Sequence, residues 1–157
     1  MKKKIASALA IDVKKDIKDP QKFPWPLKDA SVTEMTCAGV FEYLPAKLRG
    51  KFMDEVYRVL VPQGRAAFIT RFWNSGDAYQ DYLYEWPPIS EKSYLYFNKG
   101  WREANNCNDR GLKCNFGFSY GHSVEAETAS RGEDARKFYI KHYADVVQAL
   151  QVFLVKE

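Results

Sequence analysis

A helix followed directly by a buried strand constrains this chain most. From Lys47 to Leu60, apolar residues recur every three or four positions, at Leu48, Phe52, Val56 and Val59, which is the spacing of one helix face. Pro62 and Gly64 end this pattern. The apolar run Arg65 to Trp73 follows at once, rich in aromatic and β-branched residues. A helix leading straight into such a strand predicts a layered α/β sheet.

Five further segments complete the predicted architecture. The alternation of Cys114, Phe116, Phe118 and Tyr120 with small or polar residues predicts a half-buried strand over Lys113 to Tyr120. We expect this strand to pair antiparallel with a later one and so close the sheet. The other predicted elements are an apolar strand over Ile5 to Val13, a strand that runs into a loop over Ser31 to Tyr43, a helix over Glu133 to Tyr143 and the late strand over Val146 to Val155.

Charge is concentrated at the amino terminus. The 157 residues carry a formal net charge of +4. Residues 1–22 hold seven Lys and three Asp, so the rest of the chain is neutral. We interpret the chain as a single domain over residues 1–157 with a basic segment at 1–22. A dedicated nucleic-acid binder usually has a wider basic face. The segment therefore reads either as a solvated tail or as an arm that contacts phosphates.

The cysteines and the hydropathy indicate in which compartment we expect the protein. Cys37, Cys107 and Cys114 form no C-x-x-C pair, and the two histidines do not lie at metal-ligand spacing from them. We therefore expect free thiols, no structural metal and a reducing, cytoplasmic location. No apolar run reaches the roughly 18 residues that a membrane span needs. The short apolar stretch behind the first lysines does not indicate a secretory signal.

Four sequence segments together resemble one enzyme family. Phe23-Pro-Trp-Pro-Leu-Lys-Asp-Ala-Ser-Val32 is similar to the segment before the fourth strand of class I S-adenosylmethionine-dependent methyltransferases. Val40-Phe-Glu-Tyr-Leu-Pro45 and Phe52 to Arg65 resemble that family's "V-L-E-H-[IL]-P" and "E-x-x-R-[VI]-L-K-P-G-G" segments. Residues 86–103 resemble a phage and bacterial subgroup of the methyltransferase-type-11 kind. The resemblance spans residues 12–157.

This resemblance implies site residues as well as a fold. In the family, an acid at the end of the third strand faces the cofactor's adenine, a position that Asp16 and Ile17 would take here. Cys37 and Glu42 match positions near the cofactor, at a strand end where α/β proteins bind ligands. Asp81, Glu85 and Trp86 would line a substrate pocket. Catalytic residues are not identified by any Ser/His/Asp or Cys/His arrangement.

Departures from the family pattern are as informative as the matches. All nine glycines lie at Gly39 or later, and no G-x-G occurs. The Gly-rich turn that lets a backbone approach the cofactor is therefore missing. Histidines that the family carries are replaced by Gly39 and Tyr43, and the second turn glycine is Gln63. The segment Gln80 to Tyr84 lacks a histidine too. The pattern predicts a truncated, Rossmann-like class I methyltransferase fold that has lost two βα units.

This fold prediction includes about five strands. The missing units would leave a vacant strand position beside the Ser31–Cys37 strand. We expect Ile5 to Val13 to fill this vacancy, since an open apolar edge invites aggregation. A partner chain could fill it instead, which would make a homodimer.

Three functions remain open on the sequence alone. The preferred one is a non-catalytic binding or scaffolding module that binds S-adenosylmethionine poorly as an isolated chain, because in such enzymes the protein mainly supplies binding and orientation. The alternatives are a methyltransferase completed by a partner chain or an unusual pocket, and a nucleic-acid-binding protein. Each site residue also has a plain structural interpretation: a helix cap or solvated acid for Glu42, an exposed acid for Asp16, and packing around an aromatic core for Asp81, Glu85 and Trp86.

Overall fold

Strands and helices alternate over residues 9–157, the part of the chain that the structure, a computed structural model, describes. The strands are β1 (Ala10–Asp12), β2 (Val32–Ala38), β3 (Leu60–Arg71), β4 (Phe116–Val124) and β5 (Val147–Lys156). The helices are α1 (Val13–Asp16), α2 (Ala46–Val59), α3 (Asp77–Gln80), α4 (Lys99–Ala104), α5 (Ala126–Ala129) and α6 (Glu133–His142). Single 3₁₀ segments cover Phe41–Tyr43, Glu91–Phe97 and Asn108–Arg110.

All five strands form one mixed sheet in the order β1-β2-β3-β5-β4. The first three strands are parallel, whereas β5 runs antiparallel to β3 and β4 runs antiparallel to β5. The predicted α/β sheet of about five strands, closed by an antiparallel pair, is confirmed. Parallel strands share one carboxyl edge, so β1, β2 and β3 all end on the same side of the sheet.

Strand β1 lies where the vacancy was predicted. Ala10 pairs with Glu34 and Asp12 pairs with Thr36 in parallel register. The prediction that this segment lies beside β2 is therefore confirmed for Ala10–Asp12, and residues 5–8 lie outside the described residues. Because β1 takes the position next to β2, β1 itself is the edge strand of the described sheet.

Helix α2 confirms the predicted helix within one residue at each end. Its Phe52, Val56 and Val59 are fully buried against one face of the sheet. Phe52 meets the ring of Phe68 on β3 edge-on at 6.2 Å between centroids. The 3₁₀ segment Glu91–Phe97 completes this layer, where Tyr94 contacts Phe68 at 5.9 Å. A capping box between Ser90 and Ser93 begins this segment.

Two strand boundaries differ from the prediction. Strand β3 begins at Leu60 instead of Arg65, because the chain leaves α2 directly into pairing with Val32. Strand β4 begins at Phe116 instead of Lys113. The amides of Lys113 and Cys114 donate instead to Asp54 Oδ1 on α2, at 2.8 and 2.9 Å. The Asp54 side chain therefore holds the backbone of these two residues, in place of pairing with a neighbouring strand.

The two faces of the sheet differ in burial. Ala66 and Phe68 of β3 and Val152 of β5 point into the core, whereas their neighbours alternate to an exposed face. Phe153, at the middle of that exposed face, is 50% exposed, and Ile69 is exposed beside it. A shallow groove of about 640 Å³ crosses this outer face. Parallel sheets are usually covered on both faces. The exposure of the outer face is therefore unusual among the residues that the structure describes.

Candidate functional site

The carboxyl edge of the parallel strands holds the candidate site. Strand β2 ends at Ala38 and turns at Gly39, whose φ of 62° lies in the left-handed region that glycine tolerates. The Gly39 amide donates to the Ile69 carbonyl of β3 at 3.3 Å. The 3₁₀ segment that follows brings Glu42 over the strand ends, and Arg71 ends β3 beside it.

Two adjoining cavities open at this edge. The inner cavity, of about 350 Å³, lies over the strand ends and is lined by Lys14, Gly39, Glu42, Ile69 and Ala149 among others. The outer cavity, of about 250 Å³, lies under the aromatic segment after α3. The side chains that line both cavities are Glu42, Arg71 and Tyr84. Together the two volumes reach the size of a small-molecule site.

Glu42 is the unusual group in the shared wall. The residue is only 7% exposed, and its Oε2 atom has no hydrogen-bond partner among the described residues. Burial raises the pKa of the Glu42 carboxyl, and hydrogen bonds from the Glu42 and Arg71 backbone, together with the charges of Arg71 and Arg49, oppose this rise only in part. A buried acceptor without a donor costs free energy, and such groups are rare enough to need an explanation.

Tyr43 and Tyr84 form an aromatic pair beside Asp81 of the outer cavity. Tyr43 donates its hydroxyl to Asp81 Oδ2 at 2.9 Å. The Tyr43 and Tyr84 rings lie 4.7 Å apart. Hydrogen bonding with Tyr84, burial and the Asp81 carboxylate together raise the pKa of the Tyr43 hydroxyl. Across the cavity, Arg71 pairs with Asp77 at 3.2 Å. The walls therefore present tyrosine hydroxyls between charged groups of both signs.

Arg49 is a site residue that the sequence analysis missed. This buried side chain donates to the carbonyls of Leu44, Glu85 and Pro87 at 3.1, 2.8 and 2.6 Å. The amide of Glu85 in turn donates to the Glu42 carbonyl at 3.0 Å. Arg49 thus holds the segment that forms the outer cavity. The available signal was a charged residue next to Leu48, at the edge of the apolar helix face.

The structure separates the residues predicted to bind the cofactor. Asp16 is exposed, and its Oδ2 accepts the Asp12 amide at 2.7 Å, while Ile17 is buried in the core. Cys37 is fully buried near Glu42, and burial together with the Glu42 charge raises the pKa of its thiol. Of these four, only Glu42 lines a cavity. The predicted substrate residues Asp81, Glu85 and Trp86 all line the outer cavity with Glu42.

The junction between β1 and α1 decides what the inner cavity can hold. Asp12 is the last residue of β1 and also the N-cap of α1, so no loop separates strand from helix. The Asp12 carboxylate accepts the Lys14 amide at 3.0 Å. Lys14 Nζ lies 3.8 Å from the position that a Cβ on Gly39 would take. Asp12 and Asp16 therefore both accept backbone amides, and the Lys14 ammonium lies beside the Gly39 turn.

Solved structures show the same arrangement of strands and helices. A SAM-dependent methyltransferase from Archaeoglobus fulgidus matches with a TM-score of 0.54 at 12% identity, over 83% of this chain and 62% of that chain. The small RNA methyltransferase HEN1 matches with a TM-score of 0.54 at 10% identity, over 88% of this chain and 15% of that chain. The described residues therefore share a fold with these two methyltransferases. This chain spans less than two thirds of either protein's length.

The sequence and the described residues limit what this fold likeness implies. No family model and no curated protein matches the sequence. Within residues 9–157, no helix is long and apolar enough to cross a membrane. Over the same residues, no group of three or more His, Cys, Asp or Glu side chains is arranged to hold a metal ion. The three cysteines are free thiols.

Proposed function

We propose that this chain is a methyltransferase-like binding module that has no Gly-rich cofactor cradle within residues 9–157 and is not catalytic. The observation that carries the proposal is the Glu42 carboxylate, buried in the wall between two cavities with Oε2 unpartnered. A ligand that donates a hydrogen bond to Oε2 would remove the cost of that buried acceptor. Binding would then use the site without needing a reacting group from the protein.

S-adenosylmethionine does not fit the described residues of this edge. A cofactor cradle needs a loop whose backbone can approach the ligand closely, usually through glycine. Here β1 passes into α1 with no intervening residue, and the Asp12 and Asp16 carboxylates accept backbone amides. The Lys14 ammonium also lies beside Gly39. We therefore assign the inner cavity to a different, smaller ligand.

Calorimetric titration tests the cofactor half of this proposal. S-adenosylmethionine and S-adenosylhomocysteine are titrated separately into the full chain, and we expect no heat of binding at millimolar ligand. Micromolar binding of either compound would contradict the proposal. A binding heat that persists in Glu42→Gln but disappears in Lys14→Glu would show that the inner cavity accepts the cofactor by another route, and would contradict it as well.

Thermal-shift screening tests the binding half. The probes are amino acids, nucleosides and polyamines, which all carry amine or hydroxyl donors. A compound that raises the melting temperature of the wild type, and not that of Glu42→Gln, would support the assignment. The exposed substitution Glu103→Gln on α4 removes the same charge away from the site and is the matched control. Hits that stabilise all three proteins equally would count against Glu42.

A second candidate is a methyltransferase that a second copy of the chain completes. The observation that favours it is the position of the inner cavity, whose lining residues Ile69 and Ala149 belong to the outer face of the sheet. A copy packed on that face would also close the cavity. The face is self-complementary in charge: Glu34, Arg65 and Glu157 line the groove at one end, and Asp12, Lys14 and Arg71 stand at the carboxyl end.

Solution mass separates this candidate from the first. A chain that dimerises through the outer face should show twice the monomer mass in light scattering. Phe153→Asp should return it to the monomer, because the new charge would lie in the middle of the interface. The exposed Phe138 on α6 lies elsewhere, so Phe138→Asp should leave the mass unchanged. A monomer at high protein concentration would exclude completion by a second copy.

A further inference from the structure

A third surface, next to the outer cavity at the end of β3, carries three exposed aromatic rings. Trp86 is 74% exposed, Tyr79 is 60% exposed and Trp73 is 46% exposed. All three line one groove of about 680 Å³ between the end of β3, the segment 86–92 and helix α6. Scattered exposed aromatics need no explanation, but several that line one groove are typical of a binding surface.

Hydrogen bonds between its three walls hold this groove in shape. The Trp73 amide donates to the Ile89 carbonyl at 2.9 Å. The Asn74 side chain donates to the Tyr143 carbonyl at 3.3 Å, and the Asp145 amide donates back to the Asn74 carbonyl at 3.0 Å. The aromatic platform is therefore built before any ligand arrives, which lowers the ordering cost of binding.

Charge at the groove favours an anionic ligand. Lys92 and Lys141 line it from opposite walls, are exposed, and have no ion-pair partner within residues 9–157. The acid in the lining is Glu91, whose Oε2 is buried and whose charge acts on His122 beneath the groove. Exposed rings with two free ammonium groups suit a ligand that alternates flat bases with phosphates.

We propose that this groove binds single-stranded nucleic acid. Bases stack on Trp86 and Trp73, and Lys92 and Lys141 contact the flanking phosphates. This proposal does not rest on Glu42 or on the fate of the cofactor site. Tyr79 and Trp86 also line the outer cavity, so the two lysines, which do not, distinguish nucleic-acid binding from small-ligand binding at the strand ends.

Fluorescence anisotropy with labelled dT₁₂ and rU₁₂ on the full chain tests the proposal. We expect binding that weakens as salt increases. Trp86→Ala should weaken binding about tenfold or more, whereas Trp86→Phe should retain most of it, since base stacking needs only a ring. Lys92→Ala and Lys141→Ala should each lower the slope of log affinity against log salt by about one.

Matched variants give the results that would overturn the proposal. Phe153→Ala removes an exposed ring from the outer face of the sheet, and Lys51→Ala removes an exposed lysine from α2. Equal losses in these controls would show that the groove is not the site. Binding that survives the groove variants but disappears when Lys2, Lys3 and Lys4 become Ala would assign it to the basic segment. No binding at low salt, or saturable binding of cellohexaose in place of the oligonucleotides, would overturn the proposal outright.

Discussion

The backbone amide of Glu85 donates to the backbone carbonyl of Glu42 at 3.0 Å. This bond joins the aromatic segment of the outer cavity to the 3₁₀ segment over the strand ends. Arg49 reinforces the junction from below by donating to the Glu85 and Pro87 carbonyls. The geometry of both cavities therefore depends on a side chain that lines neither of them.

Replacing Arg49 with methionine should destabilise the protein and loosen the outer cavity. The change removes three donors from buried or half-buried carbonyls. We expect a loss of about 2–4 kcal/mol in the free energy of unfolding, since hydrogen bonds to charged groups each contribute about 1.5–3 kcal/mol. Urea denaturation measures it. Lys51→Met on the exposed side of α2 is the control, and an equal loss there would show that Arg49 is not special.

Replacing Glu42 with glutamine should stabilise the protein at neutral pH. Burial raises the pKa of the folded-state carboxyl above its ordinary value of 4.5, so the folded state binds the proton more tightly than the unfolded state does. The wild type should therefore lose stability as pH rises from 4.5 through the raised pKa. Glu42→Gln should lack this loss, so the gap between the two proteins should widen with pH. Chemical denaturation between pH 4 and pH 8 measures it.

The opposite pH dependence would contradict the assignment. A wild type that gains stability over Glu42→Gln as pH rises would mean that the carboxylate is well paired in the folded state. Glu103→Gln, which is exposed on α4, corrects for the removal of one negative charge from the whole chain.

Glu55 should be among the most sensitive positions for stability. Its Oε1 accepts the Trp25 amide at 2.6 Å and Arg58 Nη2 at 2.6 Å, and its Oε2 accepts Arg58 Nε at 2.9 Å. Arg58 also donates to the Leu27 carbonyl and to Asp29. Glu55→Ala would leave the buried Trp25 amide without an acceptor and would remove one of the two acidic partners of Arg58. We expect a loss of about 3–5 kcal/mol in the free energy of unfolding.

Thermal unfolding measures the Glu55 effect, and two variants frame it. Glu55→Gln keeps an acceptor for the Trp25 amide and should lose less. Asp54→Ala removes a neighbouring carboxylate that accepts the Lys113 and Cys114 amides instead. If Glu55→Gln and Glu55→Ala lose equally, the charge of Glu55 matters more than its hydrogen bond to Trp25.

Sequence patterns predicted the elements better than they predicted the site. Apolar periodicity located α2, and alternation located the β4–β5 pair, because both patterns follow from which face is buried. Trp25 lies between α1 and β2, whereas its partner Glu55 lies on α2. The bond between Trp25 and Glu55 spans 30 residues, so no local pattern could show it. Arg49 was missed for the same reason, since its acceptors are carbonyls, which the sequence does not distinguish.

The candidate site divides along the same line. Asp81, Glu85 and Trp86 lie close in sequence, and the fold brings them to one cavity with Glu42. The prediction for Asp16 depended on a family pattern at the end of β1. In the structure β1 passes directly into α1, and the Asp16 carboxylate accepts the Asp12 amide there. Local spacing therefore grouped three residues that line the outer cavity, whereas the inner cavity depends on the path of the backbone from β1 to α1.

Gln63 stands in a backbone conformation that favours glycine. Its φ is 63°, and an L-residue with a Cβ in the left-handed region costs roughly 1–2 kcal/mol. Glycine would remove this strain but would add flexibility to the unfolded chain. We expect Gln63→Gly to stabilise the protein by about 0.5–1 kcal/mol. Gln80→Gly in α3 should destabilise it, and urea denaturation compares the two. A destabilised Gln63→Gly would mean that the side chain's bond to the Lys156 carbonyl outweighs the strain.

Thiol reactivity should distinguish Cys107 from the two buried cysteines. Cys37 and Cys114 are buried, whereas Cys107 is partly exposed. Burial and the nearby Asp54 carboxylate raise the pKa of Cys114 to about 12, and burial and the Glu42 charge also raise that of Cys37. Because the thiolate is the reactive form, Ellman's reagent at pH 8 should titrate one thiol in the folded protein and three in guanidinium chloride. Cys107→Ser should abolish the reaction seen in the folded protein. Rapid labelling of either remaining thiol in that variant would show that one of the buried sites opens.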